Sequence, residues 1–87
     1  WGFFKFIIIY FASIKESLGI SEEKIILKKS CTVLELIEIL IKKDKKYKFV
    51  FSNLAKVKCA VNSSYVNFNT VVYNKDELAF FLPVTGG

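Results

Sequence analysis

The residues best placed to do chemistry lie together at the carboxyl end, Leu82-Pro83-Val84-Thr85-Gly86-Gly87. Two reactions use such residues in this order. A sortase-type transpeptidase cuts within a Leu-Pro-x-Thr-Gly pattern, whereas an ATP-dependent enzyme activates the free carboxylate behind a Gly-Gly pair. Gly86 and Gly87 have no β-carbon, so they can thread a narrow channel, adopt positive φ and bring their backbone against a nucleotide. Pro83 restricts its own φ and favours extension in the residue before it, which projects the segment outward. A carboxylate is a poor acyl electrophile until its oxygen becomes a good leaving group, so activation by ATP is chemically necessary. The sortase reading requires an apolar span and basic residues after the motif, and the sequence stops at Gly87. The expectation is therefore a free, working carboxylate rather than a cleavage signal or a frayed end.

Nothing else in the sequence forms a catalytic constellation. There is no His, no glycine-rich phosphate loop and no Cys/His cluster with zinc spacing. A chain of 87 residues makes one domain, and one of that size buries only roughly 60 to 65% of its unfolded surface, leaving little room for an enclosed pocket beside a core. No metal and no stably bound cofactor are expected. Cys31 and Cys59 are too few to staple a secreted domain and read as reduced, structural thiols. The net charge of +5 comes largely from the lysines of Lys42 to Lys48. That run reads as a solvated helix end complementing the dipole. The competing reading is a contact for an acidic partner or nucleic acid, with Tyr47, Phe49 and Phe51 interleaved, but no nucleic-acid-binding motif surrounds them. Phe3 to Ala12 lacks a basic lead and a small-residue cleavage site, and it is too short to span a bilayer, so it reads as a strand. Trp1-Gly2 in place of a Met start suggests a processed or engineered beginning and carries no function. A cytoplasmic protein with no membrane or nucleic-acid partner is expected.

The elements that must position the tail follow from periodicity. Phe4, Phe6, Ile8 and Tyr10 fall on one face of a first strand, and Lys5, Ile7, Ile9 and Phe11 on the other. A short helix stopped at Gly19 follows, then a turn at Ser21-Glu22-Glu23 and a second strand around Ile25. In Thr32 to Lys43, Thr32 caps a helix, Glu35 completes the capping box, and Cys31 with Leu36 form a hydrophobic staple. Leu34, Ile37 and Ile41 are the expected apolar stripe, with Glu35, Glu38 and Lys42 on the wet side. Three more strands surround Cys59, Val66 and Phe80, joined by turns at Asn62-Ser63-Ser64 and Asn74-Lys75-Asp76. The order strand, strand, helix, strand, strand, strand predicts an α+β fold. It is the ubiquitin-like β-grasp arrangement, a mixed sheet of about five strands on one main helix with a short helix after the first strand. Residues 1–81 form the domain and 82–87 an extended Gly-Gly tail.

The segments "YFASIKESLG", "CTVLELIEIL", "CAVN" and "DELAFFLPVTGG" together resemble the small, sulfur-carrier subunit family of molybdopterin synthase, from about Lys5 to Gly87. Leu82 departs from the proline often found there, and Asn74-Lys75 from a Gly-containing turn. The resemblance implies that an ATP-dependent adenylyltransferase/sulfurtransferase activates Gly87 and converts it to a thiocarboxylate. The large subunit would supply the catalytic residues, in a heterotetramer of two small and two large subunits acting on a cyclic pyranopterin monophosphate precursor. The chain itself would be a carrier that binds no cofactor, ATP being used by the activating enzyme. Gly-Gly alone leaves thiamine or another thio-product, or a ubiquitin-like protein modifier, open.

Strand phase adds a second site. With Leu78, Phe80 and Leu82 toward the helix, Ala79 and Phe81 face away and join Ile7, Ile9 and Phe11, with Tyr65 at the border. An outer face so apolar exceeds what monomers usually expose. Phe11, Tyr65, Phe81 and Leu82, with Pro83, Val84 and Thr85 of the tail, are the expected partner contacts, and Gly86 and Gly87 the reacting end.

Overall fold

The computed structural model describes residues 3–83. Trp1, Gly2, Val84, Thr85, Gly86 and Gly87 lie outside the described residues.

The first strand, β1 (Phe4–Tyr10), is dense in aromatic and β-branched side chains, and its burial alternates so that Phe6, Ile8 and Tyr10 enter the core. Helix α1 (Ala12–Leu18) ends at Gly19, whose φ of 76° lets its N–H donate to the Lys15 carbonyl at 2.8 Å. A β-carbon there would meet nothing within 4 Å, so the backbone angle rather than crowding calls for glycine. Strand β2 (Glu22–Leu27) returns antiparallel to β1, pairing Ile9 with Glu22 and Phe4 with Leu27. The expected turn at Glu22-Glu23 is therefore already strand, because the β1 ladder extends to Tyr10, whose N–H donates to the Ser21 carbonyl.

After β3 (Cys31–Thr32) come α2 (Val33–Lys43) and α3 (Lys45–Val50), a 3-10 turn at Leu54–Lys56, then β4 (Lys58–Val61), β5 (Ser64–Val66), β6 (Val71–Val72) and β7 (Glu77–Phe81). The main sheet has the order β2-β1-β7-β4-β5, with β1 and β7 parallel and the other neighbours antiparallel; β3 and β6 form a separate pair. Core side chains of the sheet meet Val33, Leu36, Ile37 and Leu40 of α2. This is the expected α+β, ubiquitin-like β-grasp fold. No helix among the described residues is long and apolar enough to cross a membrane.

The capping box of α2 forms as the spacing predicts. Thr32 Oγ1 accepts from the Glu35 N–H at 3.1 Å, and Glu35 Oε1 accepts from the Thr32 N–H at 2.9 Å. Cys31 and Leu36, the staple pair, are both in the core. The buried stripe differs from expectation: Leu34 and Ile41 are only half-buried, while Val33, Leu36 and Leu40 join Ile37 inside. The run from Val33 to Ile41 is apolar at most positions, so the face that packs is selected by tertiary contacts. The 68–70 loop supplies them, with Val33 N–H donating to Thr70 and Leu34 N–H to Phe68.

The lysine run is not one solvated helix end. Extended Asp44 (φ −159°, ψ 146°) stops α2 and caps α3, its Oδ1 accepting from the Lys46 N–H at 3.1 Å. Tyr47 and Phe51 turn into the core, and only Phe49 of the three interleaved aromatics is exposed. The Tyr47 hydroxyl donates to Glu23 Oε2 at 2.6 Å, and Tyr10 donates to Glu23 Oε1 at 3.1 Å. Burial first, and the Glu23 carboxylate second, hold Tyr10 protonated far above the ordinary phenol range.

Candidate functional site

The strand that delivers the tail lies in the middle of the sheet. β7 has β1 on one side and β4 on the other, so its position is set by two ladders. Leu78 and Phe80 are buried in the core, whereas Ala79 and Phe81 point to the outer face and are half-buried. Asn62 anchors the start of this strand. With Ser63 it makes a two-residue hairpin turn, both in the left-handed region (φ 49° and 73°). The Asn62 side chain accepts from the Glu77 N–H at 3.0 Å and donates to Asp76 at 3.0 Å, while its N–H donates to the Glu77 carbonyl at 2.8 Å. The turn thus holds β4 and β7 in register.

That register builds the outer face. Ile9, Ala79, Ala60 and Tyr65 lie opposite one another across β1, β7, β4 and β5. One step beyond, Phe81 pairs with Lys58. The Phe81 ring is 5.6 Å from that of Tyr65, tilted by 41°, and Tyr65 is 82% exposed. An open groove of about 700 Å³ runs here, lined in part by Lys58, Tyr65, Val66, Asn67, Phe81 and Pro83. The groove reaches Pro83, where the tail departs.

The structure therefore gathers the described candidates at one end of the sheet. The N–H of Phe11 donates to the Phe80 carbonyl at 3.2 Å, continuing the β1–β7 ladder, and its ring is half-exposed. Leu82 keeps the helix-side phase of Leu78 and Phe80, yet it is 39% exposed because β7 ends at Phe81. Pro83 is exposed. Val84, Thr85, Gly86 and Gly87, four of the expected site residues, lie outside the described residues. Phe49 was missed as a neighbour of the tail. Asp44 signals only that a new helix begins; the nearness of Phe49 to Leu82 depends on how that helix packs beside α1 and has no local sequence signal.

The chain's own thiols are chemically quiet. Cys59 is buried, and burial pushes its thiol up to about 12; burial, then the nearby Glu35 carboxylate, also raises Cys31. Both stay protonated at neutral pH, so neither is a strong nucleophile. Among the described residues no group of three or more His, Cys, Asp or Glu side chains is arranged to hold a metal. What the arrangement can do is present exposed Pro83, two residues past the end of β7, beside a broad apolar face.

Comparison with known proteins agrees with that geometry. The ThiS family model matches residues 8–87. A Pyrococcus furiosus candidate for molybdopterin converting factor, subunit 1, is 30% identical, with 93% of this chain and 99% of that chain covered and a TM-score of 0.77. SAMP1 from Haloferax volcanii superposes with a TM-score of 0.80 over 95% of this chain and 99% of its own, at 19% identity. A chain of the complex of subunits 1 and 2 of molybdopterin-converting factor from Helicobacter pylori is 23% identical, covering 95% and 99%, with a TM-score of 0.58. At those last two identities the likeness is one of fold.

Proposed function

The chain belongs to the ThiS family, and on that premise we propose that it is the sulfur-carrier subunit of a molybdopterin synthase, loaded and discharged at Gly87. The observation that carries this reading is the 30% identity to the Pyrococcus furiosus converting-factor candidate, sustained over 93% of this chain. The family match also runs through Gly87 itself. The complex of subunits 1 and 2 from Helicobacter pylori supports a large-subunit partner, and the face of Ile9, Ala79, Phe81 and Tyr65 offers it an apolar surface.

Loading begins when the Gly87 carboxylate attacks the α-phosphorus of ATP on an activating enzyme. Pyrophosphate leaves, and the acyl adenylate so formed has AMP as its leaving group. A persulfide sulfur attacks the acyl carbon and displaces AMP. A second thiol then cleaves the sulfur–sulfur bond, leaving a thiocarboxylate at Gly87 and a disulfide on the donor. In the synthase that sulfur attacks an oxygen-bearing carbon of the cyclic pyranopterin monophosphate. The carbon–oxygen bond breaks, the oxygen staying with the phosphate as the cyclic ester opens in one transfer and leaving as water in the other, and hydrolysis of the acyl–sulfur bond returns the carboxylate. Two rounds make the dithiolene. This chain's part is to project Gly87 and dock; its buried Cys31 and Cys59 do not compete for the activated acyl group.

The decisive experiment is the intact mass of the chain from cells with and without the activating enzyme, followed by incubation with the large subunit and precursor. Replacement of one oxygen by sulfur, and then molybdopterin formation, is expected. An unchanged mass in both strains rejects the carrier role. Sulfur loading without molybdopterin formation points to thiamine or another thio-product, and covalent conjugates on lysines of other proteins point to a modifier.

A further inference from the structure

α3 turns part of the lysine run into a defined face. Lys45, Lys48 and Phe49 stand at i, i+3 and i+4, on one side of the helix, and all three are exposed. Phe49 is 71% exposed, while Tyr47 and Phe51 are buried. The neighbouring lysines are engaged within the domain. Lys43 Nζ lies 3.6 Å from Glu23 Oε2, and Lys46 Nζ donates to the Leu18 carbonyl at 3.2 Å. Among the described residues, neither Lys45 nor Lys48 has a carboxylate within 4.0 Å.

This face adjoins the base of the tail. Phe49 and Val50 line a groove of about 200 Å³ with Ser13, Ile14 and Ser17 of α1 and with Leu82. Leu82 and Pro83, at the base of the tail, thus have apolar side chains near them on both sides of the sheet, half-buried Phe81 and exposed Tyr65 on the outer face and exposed Phe49 on the helix face. Four residue steps separate Pro83 from Gly87, about 14 Å at full extension. An enzyme that reaches Gly87 must therefore bring its surface against this base, where the helix face as well as the outer one lies within reach of its rim.

We propose that Lys45, Lys48 and Phe49 form a second contact for the enzyme that adenylates Gly87, fitted to an acidic rim with a notch for the Phe49 ring. The inference rests on the carrier reading above. Charge character selects this partner. The outer face is apolar at its centre and suits a lasting assembly with the large subunit. The α3 face carries two exposed cations without an ion-pair partner among the described residues, and exposed charges of this kind speed encounter more than they prolong residence. A partner visited once per loading cycle and then released benefits from that kinetics.

The test compares wild type, Lys45→Glu/Lys48→Glu, Lys45→Ala/Lys48→Ala and Phe49→Ser, using purified activating enzyme and large subunit from the same source. Adenylation is read by ATP-dependent pyrophosphate release, and large-subunit binding by titration. The Glu pair is expected to lower kcat/KM for adenylation about tenfold at low ionic strength, with a smaller loss for the Ala pair. Near 1 M salt, where the screening length is about 3 Å, the differences should close. Phe49→Ser should raise KM about fivefold at unchanged kcat, and large-subunit affinity should be unaffected throughout. Wild-type rates for the Glu pair at low salt would overturn the proposal, as would a loss confined to large-subunit binding. If the wild-type chain is itself not adenylated, the carrier reading fails first and this inference falls with it.

Discussion

Raising the pH should destabilise this domain through its buried thiol and phenol, and Cys59→Val should blunt the effect. The ordinary thiol value is 9.0 and burial pushes folded Cys59 up to about 12. Because the folded value is raised, the contribution is fully present below pH 9 and is lost as pH climbs from 9 toward 12, where the unfolded chain ionises and the folded chain does not. Each pH unit in that window removes about 1.4 kcal/mol per group. At pH 11 the Cys59 share of the loss is about 3 kcal/mol, and Tyr10, buried and held protonated throughout, adds about 1 kcal/mol beyond its ordinary value of 10.0. Total stability for a domain of this length is about 4 to 13 kcal/mol, so the loss is a large share of it. The assay is urea unfolding at pH 8 and pH 11 under reducing conditions, for wild type and Cys59→Val. Taking the difference between pH values for each protein cancels the packing cost of the substitution and the titration of surface lysines. The wild type should lose about 3 kcal/mol more than the variant. Equal losses would show that Cys59 ionises freely in the folded state and would remove the argument that the thiols of this chain are chemically quiet.

Four further variants have expected outcomes. Phe81→Asp, at the centre of the outer face, should retain the wild-type circular-dichroism spectrum and weaken large-subunit binding by roughly 2 kcal/mol or more in a titration; unchanged affinity would take Phe81 out of the interface. Thr32→Ala should lower the unfolding free energy by about 1 kcal/mol through loss of the α2 cap, and Cys31→Ala should leave sulfur loading intact in the mass assay. An alanine added after Gly87 lengthens the chain by roughly 3.3 Å, and misplacement by about 1 Å can already cost a hundredfold in rate. Such an extension, shown by mass to remain uncleaved, should keep its melting temperature and its large-subunit affinity yet yield no molybdopterin.

What could be read in advance was whatever local chemistry determines. Thr32 and Glu35 satisfy each other within one turn, Gly19 needs only its own φ, and the alternation in β1 survives because both of its neighbours respect the same pleat. The buried side of α2 was not legible, because apolar residues occupy most of its surface and the sheet and the 68–70 loop choose between them. The two-residue strands β3 and β6 are too short for any periodicity, and Asp44 hid its capping role among lysines. The outer face could be derived from strand phase alone. The nearness of Phe49 to the tail could not, since it depends on how α3 packs beside α1.

The parallel pairing of β1 with β7 has a mechanical consequence. A partner that draws the tail into a channel pulls on Pro83, and that tension runs into a strand held on both edges. Pulling β7 along its length against β1 strains the bonds of the Ile7–Glu77 to Tyr10–Phe80 ladder together, in shear, instead of opening them one after another from an end. Forced unfolding is governed by the unfolding barrier rather than by equilibrium stability, and a shear-loaded central strand places that barrier in the direction of the pull. A pull applied at Pro83 along β7 thus meets the four paired positions of the β1 ladder at once rather than one at a time.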